Sequence, residues 1–298
     1  MMKRLLIVGC GDVAVRMIPA LAGRYRMYAL TRSEPGHPVL REYGVTPILG
    51  DLDAGATLGR LSGLAHDVVH LAPPPASGTR DTRTVNLIRS LSREGRLPQR
   101  LVYISTSGVY GDCGGDWVAE TRPLRPQSDR ARRRADAERQ LRAWGRGNGV
   151  QIVVLRVPGI YAADRLPLER LAARTPTLAA ADDAFTNHIH ADDLARVVIA
   201  ALSRGRTGRT YNANDDSGMK MGDYFDLVAT RFGLDTPPRI SWHDAQGRVP
   251  ESLLSFMRES RRLLNHRLKL ELRVRLRYPT VAQGLPAAAT TSTGRVAK

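Results

Sequence analysis

Short apolar runs alternate with amphipathic stretches along the first half of the chain. Residues 5–8 form an apolar run that is typical of a buried parallel strand and too short for a core helix. Two glycines follow, and residues 13–21 then repeat apolar side chains at helical spacing. The same reading predicts strands at 27–31, 45–49, 67–71, 100–105 and 150–157, and helices at 81–93 and 129–144. This alternation predicts an α/β fold, a Rossmann-type doubly wound parallel sheet.

The pattern loosens after Tyr161. It predicts helices at 191–203 and 221–232 and a short strand at 210–213. Charged residues alternate strictly with Leu or Val over 267–277, which predicts a half-buried strand. We therefore expect a Rossmann domain over 1–160, a smaller α/β lobe over 161–280, and a disordered tail over 281–298.

The turn after the first predicted strand carries the pattern Gly-x-Gly-x-x-Ala at Gly9, Gly11 and Ala14. In a strand–turn–helix context, the first glycine permits a tight turn and the second lets the backbone approach a pyrophosphate. The small third residue lets helix and strand pack closely. Because the free N–H groups at the start of a helix favour phosphate, the turn predicts a dinucleotide site.

The residues that follow the second predicted strand bear on the choice of cofactor. Sites for NAD usually place a carboxylate there for the ribose hydroxyls, whereas this chain has Thr31 followed by Arg32. An arginine suits the 2′-phosphate of NADP(H), so we expect NADP, with NAD as the other candidate. Arg16 is a second candidate for that phosphate. A solvated surface arginine explains either residue equally well.

Composition narrows the class of protein. The 298 residues are 42% hydrophobic, enough for a sizeable core, and no apolar run approaches membrane-spanning length. The two cysteines, Cys10 and Cys113, are too few for a disulfide scaffold and fit a reducing, cytoplasmic compartment. The spacing of His, Cys, Asp and Glu predicts no metal site.

The formal charge of +16 raises the question whether the protein binds nucleic acid. Only four of the 45 basic residues are lysines, so arginine fills ordinary surface positions, and no aromatic residues interleave a basic patch. We therefore expect a small-molecule substrate, anionic in character, and neither a nucleic acid nor a membrane as a partner. The sequence leaves a monomer and a homodimer both open.

Six stretches, in this order along the chain, resemble the extended short-chain dehydrogenase/reductases, the NAD-dependent epimerase/dehydratase family. They are residues 9–14, 50–53, 70–74, 104–111, 155–161 and 189–194. The pattern looks most similar to the atypical, YeeZ-like bacterial branch of that family. Together the stretches run over about two-thirds of the chain, so the resemblance is more specific than any one motif.

The resemblance implies hydride transfer between NAD(P) and a carbonyl or sugar-like substrate, in an oxidoreductase or epimerase. It implies that Thr106 binds the substrate hydroxyl, with Arg134 and Tyr161 as further catalytic candidates. It also implies a set of residues in contact with the cofactor: Gly9, Gly11, Asp12, Val13, Thr31, Arg32, Asp51, Leu52, Leu71, Ala72, Pro73 and Pro158.

In the family that the chain resembles, a Tyr-x-x-x-Lys pair supplies the acid and base, and its tyrosine moves the proton. The chain departs from the family there, because the matching positions are Arg130 and Arg134. Arginine stays protonated at physiological pH and cannot shuttle a proton. Tyr110, Tyr161 and His190 are the other candidate acids. Each tyrosine also fits a packing role, and the histidine fits the start of a helix.

Two further interpretations follow from this departure. The first is a solvated helix face in which Arg134 pairs with Glu138. The second is a catalytically inactive NAD(P)-binding sensor or regulator, which is the alternative to an enzyme.

A second departure concerns the substrate. Extended members of the family often carry an arginine three residues before the Ile-His pair, and Thr186 stands there. The resemblance therefore argues against a nucleotide-diphosphate substrate. Arg165 and Arg239 are the candidates for binding another anion.

Overall fold

Seven parallel strands form the central sheet of the computed structural model, which describes residues 2–249, 253–254 and 257–286. In chain order they are β1 Lys3–Val8, β2 Tyr25–Thr31, β3 Val45–Leu49, β4 Asp67–His70, β5 Arg100–Thr106, β6 Gln151–Val157 and β7 Thr210–Asn212. Their order in the sheet is β7-β6-β5-β4-β1-β2-β3, and every neighbouring pair is parallel. The predicted doubly wound sheet is confirmed. The order reverses between β1 and β4, where ligands bind in such sheets.

Helices cover both faces of this sheet. They are α1 Asp12–Leu21, α2 His37–Glu42, α3 Thr82–Leu91, α4 Asp129–Asn148, α5 Leu168–Ala172, α6 Ala191–Arg204, α7 Met221–Phe232, α8 Trp242–Ala245, α9 His266–Leu270 and α10 Val281–Gly284, with 3-10 turns at Gly55–Leu61, Ser107–Tyr110 and Ala163–Arg165. Among these helices, none is long and apolar enough to cross a membrane.

The core explains why β1 is apolar at consecutive positions. Leu5 and Ile7 join the hydrophobic cluster beneath α1 and α6, while Leu6 and Val8 join the cluster beneath α3 and α4. All four side chains are fully buried. A strand with helices on both faces has no polar side, so its sequence shows a continuous apolar run.

The chain returns to the central sheet well after residue 160. Thr210–Asn212 pairs with β6 as the edge strand, and α6 packs against α1. Residues on both sides of the predicted boundary therefore contribute to one sheet. The remaining strands are short pairs: Gly159–Tyr161 with His188–His190, Thr177–Leu178 with Arg239–Ile240, Phe185–Thr186 with Met219–Lys220, and Trp117–Val118 with Arg262–Leu263.

The predicted strand over 267–277 is wrong. His266–Leu270 is a short helix, and Leu268 and Leu272 are fully buried beside β7 while Leu270 is 77% exposed. Residues two apart point to different sides of a helix, so Leu270 faces solvent although Leu268 is buried, and Val274 beyond the helix is buried again. The strict alternation of charged and apolar residues is typical of a strand, but the helix buries only some of these apolar side chains.

The predicted tail begins later than residue 281. Val281–Gly284 forms a helix, and the Val281 and Leu285 side chains are buried among apolar residues of α7. These apolar contacts make residues 281–286 part of the fold. The rest of the predicted tail, 287–298, lies outside the described residues.

A buried ion pair joins α4 to β6. Nη2 of Arg156 lies 2.8 Å from Oε2 of Glu138, and neither side chain is more than 6% exposed. Glu138 also accepts the Ser105 hydroxyl at 2.6 Å, and Arg156 donates to the Tyr110 hydroxyl at 2.9 Å. The interpretation that Glu138 pairs with Arg134 is therefore wrong. Its partner comes from a strand 18 residues later, which helix spacing alone does not indicate.

We expect Glu138→Gln to lower the free energy of unfolding by about 3–5 kcal/mol, because it leaves the buried Arg156 charge without its partner. Urea unfolding followed by circular dichroism measures this change. Asp129→Asn is the control on the same helix, since it removes an exposed pair with Arg132 and should cost less than about 1 kcal/mol. Equal losses in the two variants would contradict the assignment.

Candidate functional site

A cavity of about 840 Å³ lies at the carboxyl ends of β1, β2 and β4. It is lined by every predicted cofactor residue except Pro158: Gly9, Gly11, Asp12, Val13, Thr31, Arg32, Asp51, Leu52, Leu71, Ala72 and Pro73. These residues come from four separate stretches of the chain. The parallel sheet brings them together because its strands all end at the same edge.

The glycine turn leaves space beside the start of α1. Gly9 has a φ of +91°, and a β carbon there would lie 2.5 Å from the backbone nitrogen of Ala72. A β carbon at Gly11 would meet no protein atom within 4 Å, so this residue faces open space. Ala14 lies within α1 and is fully buried. The turn therefore fits a pyrophosphate beside the first N–H groups of α1.

The two residues that follow β2, Arg32 and Ser33, line the cavity, and neither is a carboxylate. The Thr31 hydroxyl lies 2.7 Å from Nε2 of His37, which fixes the start of this loop. Arg32 is exposed at the cavity rim. Its guanidinium is therefore accessible to an anionic group on the ribose.

Arg16 does not line this cavity wall. Its guanidinium donates to Asp12 at 2.8 Å, to Asp192 at 2.6 Å and to Asp164 at 3.3 Å. Three carboxylates already satisfy its charge, so the prediction that Arg16 helps to bind a 2′-phosphate is wrong. Arg165 also donates to Asp12, at 3.1 Å. The network joins the start of α1 to the start of α6.

Arg83 is a cavity residue that the sequence analysis missed. Its guanidinium forms two hydrogen bonds to Asp53, at 2.6 and 2.8 Å, and donates to the Pro73 carbonyl at 3.1 Å. The hydrogen bonds from Arg83 lower the pKa of Asp53. No sequence pattern links residues 30 positions apart, so only the fold reveals this pair.

Arg134 lies in the same cavity wall and is half-buried. Its Nη1 donates to the Ile104 carbonyl at 2.7 Å and to the Tyr103 hydroxyl at 3.1 Å. These bonds hold a positive charge at the end of β5. The interpretation of a solvated helix face is therefore wrong for Arg134.

A second cavity, of about 520 Å³, adjoins the first, and Ile160 and Arg165 line both. Thr106 lies in its wall, as does Arg130. The Thr106 Oγ1 accepts the Gly108 N–H at 3.3 Å, which leaves the hydroxyl proton free to donate elsewhere. The hydroxyl can therefore donate a hydrogen bond to a ligand.

Pro158 lines this second cavity and not the first. The predicted contact between Pro158 and the cofactor stays a prediction, and Pro158 is the one predicted cofactor residue that the first cavity does not include. Pro158 follows the last residue of β6, at the far side of β5 from the glycine turn. The difference in strand position separates it from the other predicted cofactor residues.

Two further residues of the second cavity, Glu259 and Arg261, were also missed. Arg261 is 8% exposed, and its Nη1 donates to Glu259 and to the Gly111 carbonyl, both at 2.8 Å. Its Nε has no hydrogen-bond partner among the described residues. Both residues reach the cavity from a segment about 150 positions after β5, so no local motif predicts them.

Arg239, a predicted anion-binding residue, lines neither cavity. It donates to the Leu178 carbonyl at 3.1 Å and to the carboxylates of Asp226, at 2.5 Å, and Asp183, at 3.5 Å. Its charge is already compensated, so the prediction for Arg239 is wrong.

The candidate tyrosines are structural. Tyr161 is 1% exposed, donates to the Thr280 carbonyl at 3.3 Å, and lines neither cavity. Tyr110 is also 1% exposed and donates to the Asn212 side chain at 2.7 Å. Burial and a bonded hydroxyl fit the packing role for both, and the catalytic role of Tyr161 stays a prediction that this buried position argues against. Aromatic packing with a bonded hydroxyl explains each residue.

His190 is likewise structural. Its Nδ1 accepts the Asp192 N–H at 3.1 Å and so caps α6. Burial lowers the pKa of His190, which favours the neutral ring that this acceptor role requires. The interpretation that His190 starts the following helix is confirmed.

Comparison with known proteins agrees with this geometry. The model of the NAD dependent epimerase/dehydratase family matches residues 10–213. The chain belongs to this family. The dTDP-glucose 4,6-dehydratase of Mycobacterium tuberculosis is 30% identical over 222 residues, which cover 67% of this chain and 64% of that protein. This chain therefore matches just under two-thirds of the relative's length.

Solved structures share the fold over nearly the whole chain. A conserved protein of unknown function from Silicibacter pomeroyi is 28% identical, with a TM-score of 0.79 and coverage of 95% of this chain and 96% of that one. The dTDP-glucose 4,6-dehydratase of Bacillus anthracis, in complex with NAD, has a TM-score of 0.74 at 17% identity, covering 95% and 94%. The second likeness shows the fold alone.

Asp215 carries a buried carboxyl group that lines neither cavity. It is 2% exposed, and its Oδ2 has no hydrogen-bond partner in the described part of the chain. Burial raises the pKa of Asp215 to about 8. The folded protein therefore holds this proton at neutral pH, whereas an unfolded chain releases it near pH 4.

Because of this proton, we expect the free energy of unfolding to fall as pH rises from about 4 to about 8. In that window the folded state binds the proton and the unfolded state does not, so each pH unit lowers the free energy of unfolding by at most about 1.4 kcal/mol. Asp215→Asn cannot ionise and should lose this slope. Urea unfolding at pH 5, 6, 7 and 8 measures the difference, with the exposed Asp235→Asn as control. Parallel curves for wild type and Asp215→Asn would contradict the assignment.

Proposed function

We propose that this protein binds NADP(H) in the first cavity, with NAD as the weaker alternative, and acts as an oxidoreductase or epimerase on a carbonyl or sugar-like substrate in the second. The observation that supports this function is that the two cavities adjoin, with Arg165 and Ile160 in both walls. Arg134 lines the first cavity and Thr106 the second. A bound nicotinamide would supply hydride transfer at its C4 atom.

The first cavity would hold the cofactor through its backbone and its charges. Free N–H groups after Gly11 would bind the pyrophosphate, and Arg32 would bind a 2′-phosphate. Arg134 would lie near the nicotinamide ribose, since its guanidinium is fixed by the Ile104 carbonyl. Each of these groups favours a dianionic or trianionic ligand.

The second cavity would orient the substrate. Thr106 donates its hydroxyl proton to the substrate oxygen. Among the described lining residues with ionisable side chains, three are arginines and the fourth is Glu259. We assign proton transfer to Glu259, because an arginine keeps its proton at physiological pH.

A sensor that binds NAD(P) without turnover is the second candidate. The observation that favours it is Arg130, which lines the substrate cavity at the position of the family's proton-transferring tyrosine. Turnover separates the two functions, since a sensor binds the cofactor and leaves it unchanged. The cytoplasm is the proposed location, on the basis of the free cysteines.

We expect Gly11→Leu to weaken NADPH binding by at least tenfold and to leave the fold intact. The added side chain meets no protein atom at its β carbon and instead enters the space beside the start of α1. Isothermal titration calorimetry measures binding, and thermal melting checks the fold. Gly147→Leu, at a helix position with equally open surroundings, is the control. Unchanged NADPH affinity in Gly11→Leu would exclude the proposed pyrophosphate site.

We expect Arg32→Asp to weaken NADPH binding at least tenfold while NADH binding is kept or improved. The substitution replaces the partner of a 2′-phosphate by a carboxylate that accepts ribose hydroxyls. Titration of wild type and variant with both cofactors measures the preference. Arg24→Asp, an exposed arginine at the other end of β2, controls for the change in net charge. The same loss in both variants would rule out a specific role for Arg32.

A further inference from the structure

We propose that a third cavity of this protein binds the diphosphate group of a small molecule through Arg142 and Arg146 of α4. This cavity has a volume of about 460 Å³ and is lined by residues of α4, of β6 and of the edge strand β7. It shares no lining residue with the first or the second cavity. Ligand binding there is therefore independent of the proposed function.

Basic residues dominate the wall of the third cavity. Six of its lining residues are arginines: Arg139, Arg142, Arg146, Arg156, Arg209 and Arg267. Two are carboxylates, Glu120 and Glu138. A cleft lined mainly by one sign of charge raises the local concentration of ions of the opposite sign. The composition of this wall therefore favours an anionic ligand.

Four of these six arginines already have a carboxylate partner. The pairs are Arg139 with Asp136, Arg156 with Glu138 at 2.8 Å, Arg209 with Glu271 at 2.7 Å and Arg267 with Glu120 at 3.6 Å. Each carboxylate cancels one positive charge, so these four arginines add little net charge to the cavity. The charge that is left belongs to Arg142 and Arg146.

Arg142 is half-buried, and its hydrogen-bond partners in the described part of the chain are neutral groups. Its Nη1 donates to the Gly208 carbonyl at 2.6 Å, and its Nη2 donates to the Thr210 hydroxyl at 2.5 Å. These bonds hold the guanidinium in the cavity wall without cancelling its charge. Burial lowers the pKa of Arg142, the nearby carboxylate of Glu138 raises it, and the like charges of two neighbouring arginines lower it. An anion in the cavity would offset the cost of burying this charge.

Arg146 lies four residues after Arg142 on the same helix. Side chains at this spacing lie on one face, with β carbons about 5–6 Å apart, so two like charges repel each other there. The Arg146 side chain is exposed and has no hydrogen bond or ion pair among the described residues. The end of a helix favours positive charge, which accounts for Arg146 in the last turn of α4 but not for Arg142 before that turn. A ligand with two negative charges would balance both.

The chemistry of this pair favours phosphate over carboxylate. A phosphate ester carries about 1.5 to 2 negative charges at pH 7, whereas an ionised carboxylate carries one. Guanidinium groups bind phosphate oxygens through two parallel hydrogen bonds, and a diphosphate offers oxygens to each arginine. The volume of about 460 Å³ lies within the range of small-molecule pockets. A small diphosphate therefore fits the charge, the donors and the size of the third cavity.

The test measures binding of pyrophosphate to the full-length protein by isothermal titration calorimetry at constant ionic strength. The glycine turn of the first cavity is itself a proposed pyrophosphate site, so the titration uses Gly11→Leu as well as wild type. We expect Gly11→Leu to bind pyrophosphate, because its third cavity is unchanged. ADP, titrated into the same variant, distinguishes the two sources of the group. Tighter binding of ADP would indicate a nucleotide and equal binding a free diphosphate, and both results support the proposal.

Further substitutions in the Gly11→Leu protein locate the site. Arg142→Gln combined with Arg146→Gln should weaken pyrophosphate binding at least tenfold. Arg41→Gln combined with Arg89→Gln is the matched control and should leave the affinity unchanged. Both control arginines are exposed, each lies in the last turn of its helix, and the pair removes the same charge. Thermal melting checks the fold, and the exposed Arg146→Gln alone, with an expected loss of at least threefold, keeps the test decisive if the double variant unfolds.

Three results would overturn the proposal: no pyrophosphate binding by Gly11→Leu, binding that survives the loss of both α4 arginines, or an equal loss in the control. Binding of a duplex oligonucleotide without binding of pyrophosphate or ADP would also overturn it, and would assign these arginines to a nucleic-acid surface. NADPH titration of the wild type is a separate readout. Its failure would count against the proposed function and leave the third cavity unaffected.

Discussion

The close approach of the backbones at Gly9 and Ala72 is the constraint on which the rest of the site depends. A β carbon at position 9 would lie 2.5 Å from the Ala72 nitrogen, and the residue has a φ of +91° that favours glycine. This contact joins the end of β1 to the segment after β4, where the strand order of the sheet reverses. Because the two segments meet there, the glycine turn, the end of β2 and the wall that follows β4 all face one cavity.

Arginine determines the electrostatics of this protein, and its partners decide what each arginine can do. Arg16 and Arg239 are bound by several carboxylates, and Arg156 is buried with Glu138. These residues stabilise the fold and leave little charge for a ligand. Arg134 instead donates to backbone and hydroxyl groups, which hold it in place without neutralising it. The positive charge of Arg134 therefore stays available at the cavity wall.

The two positions of the family's tyrosine and lysine lie in different cavities of this protein. Arg134, at the lysine position, stands in the wall of the first cavity, whose glycine turn is present. The second cavity is affected more, since Arg130 now stands where a proton-transfer group is expected. The departure from the family therefore removes the expected proton-transfer group, while an arginine lines each cavity.

The sequence by itself determined the sheet and the glycine turn, because short apolar strands and the spacing of Gly9 and Gly11 are local properties. All but one of the residues that it predicted to contact the cofactor line a single cavity, since they follow strand ends that a parallel sheet brings together. It could not determine the partners of Glu138, the contribution of Arg261, or the buried position of Tyr161. These depend on contacts between segments far apart in the chain, and no local pattern encodes which distant side chain will satisfy a buried charge.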